Sequence, residues 1–143
     1  MTATMDTQAA LVAILKADAA VAALVGTRVF GDELPRAETD SMPRKCIVVQ
    51  HAGGAGPSFT QGTLPLEAPV FSIFCYGETG FQARSVRLAV HGALRSVERR
   101  TILDTLIHWV KSAGGAIYGR DPDADWPVHW STWQVLADER TTA

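Results

Sequence analysis

Cysteine is scarce in this chain, with two in 143 residues. Cys46 and Cys75 both sit in apolar, strand-like runs, which predicts two buried free thiols in place of a disulfide framework. An excess of one charge is also missing. Thirteen Lys and Arg against fifteen Asp and Glu leave a formal net charge of -2. A nucleic-acid grip that depends on a broadly basic surface is therefore not expected, although a local basic patch is compatible with that total. No apolar run reaches the roughly 18 residues of a membrane-spanning helix. A basic N-terminal region followed by an apolar stretch and a cleavage site is absent, so no secretion signal is expected.

Motifs that carry chemistry are missing as well. Residues 51–58, HAGGAGPS, contain glycines but no Gly-Lys-Ser/Thr ending, and no helix follows, so they do not form a phosphate loop. Asp121, Asp123 and Asp125 have the spacing of the start of a calcium loop. Trp126, however, stands where that loop needs glycine, and Thr132 where it needs a bidentate glutamate, which leaves a surface turn. His51, His91, His108 and His129 are scattered, and none pairs at i, i+4 or beside a cysteine as zinc ligands do. His91 falls on a predicted helix, where a solvated or satisfied side chain is the ordinary reading. None of Ser58, Ser72, Ser85, Ser96, Ser112 and Ser131 sits in a nucleophile elbow. These absences predict a protein that is not an enzyme and that uses neither a cofactor nor a metal.

The best-specified stretch is Thr79 to Val97, together with the strand predicted at Glu67–Tyr76 that feeds it. Thr79 and Gln82 have capping-box spacing. Ala83, Val86, Val90, Ala93, Leu94 and Val97 then share one helical face. A helix with one apolar stripe must bury it, and the preceding apolar strand is the natural partner.

The rest of the chain arranges itself around that unit, and its length suggests a single domain over residues 1–143 with loose ends at 1–5 and from Asp138. A first helix is predicted over 8–25. It starts at Asp6 or Thr7, kinks at Lys16–Ala17 where Asp18 can cap a second segment, and ends at Gly26. Arg28–Phe30 reads as a brief extended piece and 31–44 as a loop. Cys46–His51 is a β-branched strand, followed by a long glycine- and proline-bearing link, 52–67, that holds Phe59. Residues 101–113 have helical apolar spacing that equally suits a strand. After Gly114–Gly115 and the Asp121–Asp125 turn comes a last strand, Pro127–Ala137.

Trp109, Trp126, Trp130 and Trp133 all lie in the last 35 residues. Tryptophan is enriched at protein–protein interfaces. Trp130 and Trp133 fall on opposite faces of an ideal strand, so one is expected in the core and the other outside it, which hints at self-association.

Several stretches resemble the tail-completion, or tail-terminator, proteins of long-tailed phages and phage-like particles. Asp18, Val21, Ala22, Ala23, Leu24, Val25, Gly26, Arg28 and Val29 match the D-x-x-V-A-A-L-V-G-x-R-V type segment of that family. VFSIFCYGETGFQARSVRLAVHGAL resembles its strand, turn and second helix, and RDPDADWPVHWSTWQVL its closing turn and last strand. The resemblance covers most of residues 8–137 and places a strand within 101–113. It implies an α+β fold, with a mainly antiparallel four-to-five-stranded sheet and two helices packed on one face. It also implies a homo-hexameric ring at the head-proximal end of the tail tube, in contact with the tail tube protein and a head–tail connector, with DNA passing through the lumen unread. In such a ring Phe59, Thr60, Gln61, Trp126, Trp130 and Trp133 are the expected interface residues. Asp121, Asp123 and Asp125 are expected to face the lumen, where negative charge would keep DNA from sticking. Another neck or connector subunit is the nearest alternative. A small cytoplasmic enzyme or ligand-binding protein without a recognisable motif is the alternative from a different class.

Overall fold

The computed structural model describes residues 6–58, 66–122 and 124–139. Among them, eleven elements follow in chain order: α1 (Thr7–Ala17), α2 (Ala19–Val25), β1 (Val29–Gly31), α3 (Arg36–Thr39), β2 (Cys46–Ser58), β3 (Leu66–Tyr76), α4 (Gly80–Arg95), β4 (Arg100–Ile102), β5 (Thr105–Ser112), β6 (Ile117–Arg120) and β7 (Pro127–Glu139).

Local chemistry accounts for the helices. The Asp6 carboxylate accepts from the Ala9 amide at 2.9 Å and starts α1. Asp18 then accepts from Val21 at 3.0 Å and starts α2, so the chain turns by 83° between two capped helices. Gly26 ends α2 with a φ of 61°, which a side chain would resist. At α4, Thr79 Oγ1 accepts from the Gln82 amide at 3.2 Å, while Gln82 Oε1 accepts from the Glu78 amide at 3.0 Å. The reach-back thus lands one residue earlier than in a standard capping box.

The strands form one sheet in the order β1-β2-β3-β7-β5-β4, with β6 also on β7. This overturns the expected mainly antiparallel four-to-five-stranded sheet with two helices. The sheet is mixed and has seven strands, β1 running parallel to β2, and four helices accompany it. The parallel pair follows from connectivity: residues 32–45, which carry α3, return the chain so that β2 starts beside β1 in the same direction. The miscount has a length origin. β1, β4 and β6 span three, three and four residues, too short to display an alternation.

Two further expectations fail at the ends of strands. Residues 52–67 are not one long link. β2 continues through Ser58, with Gly54 opposite Pro69, Ala55 opposite Ala68 and Ser58 opposite Leu66. The irregularity sits between His51 and Gly54, where Gly53 and Gly54 take φ of 101° and 90°. Nor are Asp138 and Glu139, at the start of the expected loose end, outside the sheet. β7 runs to Glu139, and Asp138 Oδ2 meets His108 Nε2 at 3.1 Å. Residues 101–113 form strands, reversed at Leu103–Asp104, both of which adopt positive φ.

One face of the sheet carries the core. Ile47 and Val49 of β2, Phe71, Ile73 and Cys75 of β3, and Trp133, Val135 and Ala137 of β7 alternate onto it. Leu11, Ile14 and Leu15 of α1, Val21 and Val25 of α2, and Val86, Val90 and Leu94 of α4 pack against them.

Candidate interaction surfaces

The opposite face of the sheet holds buried Cys46, Val48 and Val128 together with a set of half-buried aromatic side chains. Strand alternation puts Val70, Ser72, Phe74 and Tyr76 of β3 there, level with Gln134, Thr132, Trp130 and Val128 of β7. Trp109 of β5 joins them opposite Leu136. Phe74, Trp130, Trp109 and Leu136 are each only half-buried. Phe74 and Trp130 have ring centroids 6.1 Å apart. Lys111 Nζ lies 4.6 Å from the centre of the Trp109 ring. At one end, Tyr76 meets Trp126 edge-on at 6.0 Å. The face is therefore an aromatic band crossed by a polar row of Gln50, Ser72 and Thr132.

The predicted interface residues separate. Trp130 and Trp126 are half-buried at the face turned away from the helices and at its end. Trp133 is only 2% exposed, and its Nε1 donates to Ser131 Oγ at 2.9 Å inside the core. It serves the fold, which corrects its assignment as an interface residue. Register explains the division: Trp133 is level with Phe71 on the helix-covered face and Trp130 with Phe74 on the other. Phe59, Thr60 and Gln61 lie outside the described residues, and so does Asp123.

Asp121 and Asp125 belong to a closed turn. The Asp125 amide donates to the Asp121 carbonyl at 2.7 Å, and Asp121 Oδ1 accepts from the Ala124 amide at 3.0 Å. Arg120 donates to the Asp125 carbonyl at 2.7 Å and lies 3.6 Å from its carboxylate. Asp121 also bonds Tyr76, whose phenol is pushed up to about 12, first by burial and then by that carboxylate. The acids hold the turn together, and among the described residues no three His, Cys, Asp or Glu are placed to hold a metal ion.

Other titratable groups are tuned by burial. The Cys46 thiol is pushed up to about 12, and Cys75 is raised as well, desolvation being the main cause for both. Neither is a thiolate near neutral pH. His129 is lowered by burial and then by Arg87 and Arg84, against a raising hydrogen bond with the Gly80 backbone. Its ring is 4.9 Å from that of Tyr118.

A second surface escaped the sequence reading altogether. Phe81 and Leu88 on the outer side of α4 and Tyr118 on β6 are exposed large apolar side chains. The signal was there: Phe81 and Leu88 are seven residues apart and fall off the stripe that buries α4.

The sequence profile of the tail completion protein gp17 family matches residues 9–127. Among solved structures, the chain is similar to one in the virion of a native gene transfer agent particle. The two share 22% identity over 92% of this chain and 93% of that one, with a TM-score of 0.63, a likeness of fold. No curated protein matches the chain.

Proposed function

We infer the function from one premise: this chain belongs to the tail completion protein gp17 family, whose profile spans residues 9–127. It is a structural protein of the tail or neck of a phage or phage-like virion, and it assembles with other tail and head components. Within that role it forms a homo-oligomeric ring, hexameric as the family resemblance implies. The ring caps the head-proximal end of the tail tube, stops tube polymerisation and joins the tail to the head connector.

The observation that carries the ring is the sheet face turned away from the helices. A half-buried band of Phe74, Trp130, Trp109 and Leu136 is a liability on a monomer and an asset at a subunit contact. A closed ring needs one patch on each subunit to meet a different patch on the next. Trp126 and Trp130 belong to such a contact, and Phe59, Thr60 and Gln61 extend it from the β2–β3 connection. Asp121, Asp123 and Asp125 face the lumen. Negative charge there keeps passing DNA from adhering.

Electron microscopy of particles assembled without this chain is the test. Detached heads beside tail tubes of uncontrolled length are the expected outcome. Tails of normal length on heads that lose DNA would move the protein to the connector side of the joint. Intact, infectious particles would overturn the tail reading.

A further inference from the structure

The outward stripe of α4 has the wrong chemistry for a solvated surface. Phe81, Arg84 and Leu88 stand at i, i+3 and i+7, so they share one line of the helix. Phe81 is 76% exposed and Leu88 49%. Tyr118 closes one side of this line. It packs so tightly on Gly80 that a Cβ added there would come within 2.9 Å of its ring. Gly80, Phe81, Arg84, Tyr118 and His129 together line a shallow, mainly apolar depression of about 420 Å³.

Arg84 lines that depression, Arg87 follows about one turn further along α4, and neither is neutralised from within. The ion pairs among the described residues are His108–Asp138 and Arg120–Asp125, so Arg84 and Arg87 have no carboxylate of their own. Arg87 Nε is shielded from solvent and meets no acceptor. His129 lies in the field of both arginines, which disfavour its protonation after burial has done so. An apolar floor under unpaired guanidiniums fits a ligand that brings both carboxylates and an apolar side chain. Duplex DNA would use the arginines but gain nothing from Phe81 and Leu88.

We propose that this groove docks a carboxylate-bearing segment of another tail or head protein, with an apolar anchor against Phe81 and Tyr118 and acidic groups on Arg84 and Arg87. The proposal rests on the chain being an assembling tail component. It adds a second docking surface, on the opposite side of the sheet from Trp130.

The probe is a short peptide with glutamates flanking a central leucine, titrated into the purified chain and followed by NMR. Saturable shifts centred on Phe81, Tyr118 and His129 are expected. Binding should weaken at least about tenfold in Phe81→Ala, in Arg84→Gln and with a glutamine version of the peptide. Absence of binding, indifference to both substitutions, or tighter binding of a DNA duplex at these residues would each overturn the proposal. In particles, the double variant Phe81→Ala/Arg84→Glu should leave the mass of the self-assembled chain unchanged yet yield unjoined heads and tails. Normal particles from that variant would overturn the docking site. Normal particles without the chain would instead overturn the tail reading.

Discussion

Phe74 and Trp130 stand level across β3 and β7, ring centroids 6.1 Å apart, on the side of the sheet away from the helical core. Three residues further on, Trp133 lies in that core at 2% exposure. Substituting the two tryptophans should therefore give opposite phenotypes. Trp133→Ala removes a buried indole and should cost about 3–5 kcal/mol of stability. Trp130→Ala should cost only about 1 kcal/mol and should instead abolish self-association. Denaturant melts and light scattering on both variants test this. A Trp130→Ala chain that still assembles would remove this sheet face from the ring contact.

The thiols give a prediction at high pH. Cys46 and Tyr76 both have acid groups raised to about 12 by burial, from ordinary values of 9.0 and 10.0. A group raised in the folded state keeps its full stabilising contribution below its unfolded value and loses it as pH climbs through the folded one. The urea midpoint should thus fall steadily between pH 9 and 12, because the unfolded chain binds fewer protons there than the native one. The same burial predicts that neither Cys46 nor Cys75 reacts with a thiol reagent at pH 8 until the chain is unfolded. Rapid native labelling would contradict the burial of both side chains.

Legibility tracked element length and the strength of local signals. The α1–α2 break was readable because Asp18 is a capping residue inside an alanine-rich run, and α4 because its stripe spans four turns. β1, β4 and β6 were not readable, since three or four residues cannot establish a period. Gly53 and Gly54 looked like a loop because glycine signals a turn and a strand irregularity alike. The aromatic face was half legible. The opposition of Trp130 and Trp133 follows from strand alternation, but which of them faces the helices depends on cross-strand register. The depression around Tyr118 was invisible, because it is built where β6 meets the start of α4, elements whose contact no local pattern encodes.

The β2 irregularity makes its two glycines unequal. Both have positive φ, but an added Cβ at Gly53 meets nothing within 4 Å, whereas at Gly54 it falls 2.6 Å from Ala68 O and Val70 N. Gly53→Ala should cost about 1 kcal/mol from backbone strain alone. Gly54→Ala adds a collision with the backbone of β3 and should cost at least about 3 kcal/mol or shift the hairpin register. Thermal melts rank the two, and equal losses would mean that β2 and β3 are not paired this closely beyond His51.

At acid pH the relevant group is His129. Its folded value is lowered, by burial and then by Arg87 and Arg84, so the neutral ring is the one the fold accommodates. A lowered histidine contributes stability that is present above its unfolded value of 6.5 and is lost as pH falls through the folded one. Replacing Arg87 by Gln removes the larger of the two charge effects and should move the His129 titration upward, while leaving it below 6.5 because burial persists. NMR titration of the ring protons reads this directly. A peptide carrying carboxylates to Arg84 and Arg87 should move the titration in the same upward direction in the unmodified chain, since it neutralises the same charges. An unchanged value in Arg87→Gln would mean that the arginine does not act on the ring, and its part in the groove's charge would then have to be withdrawn.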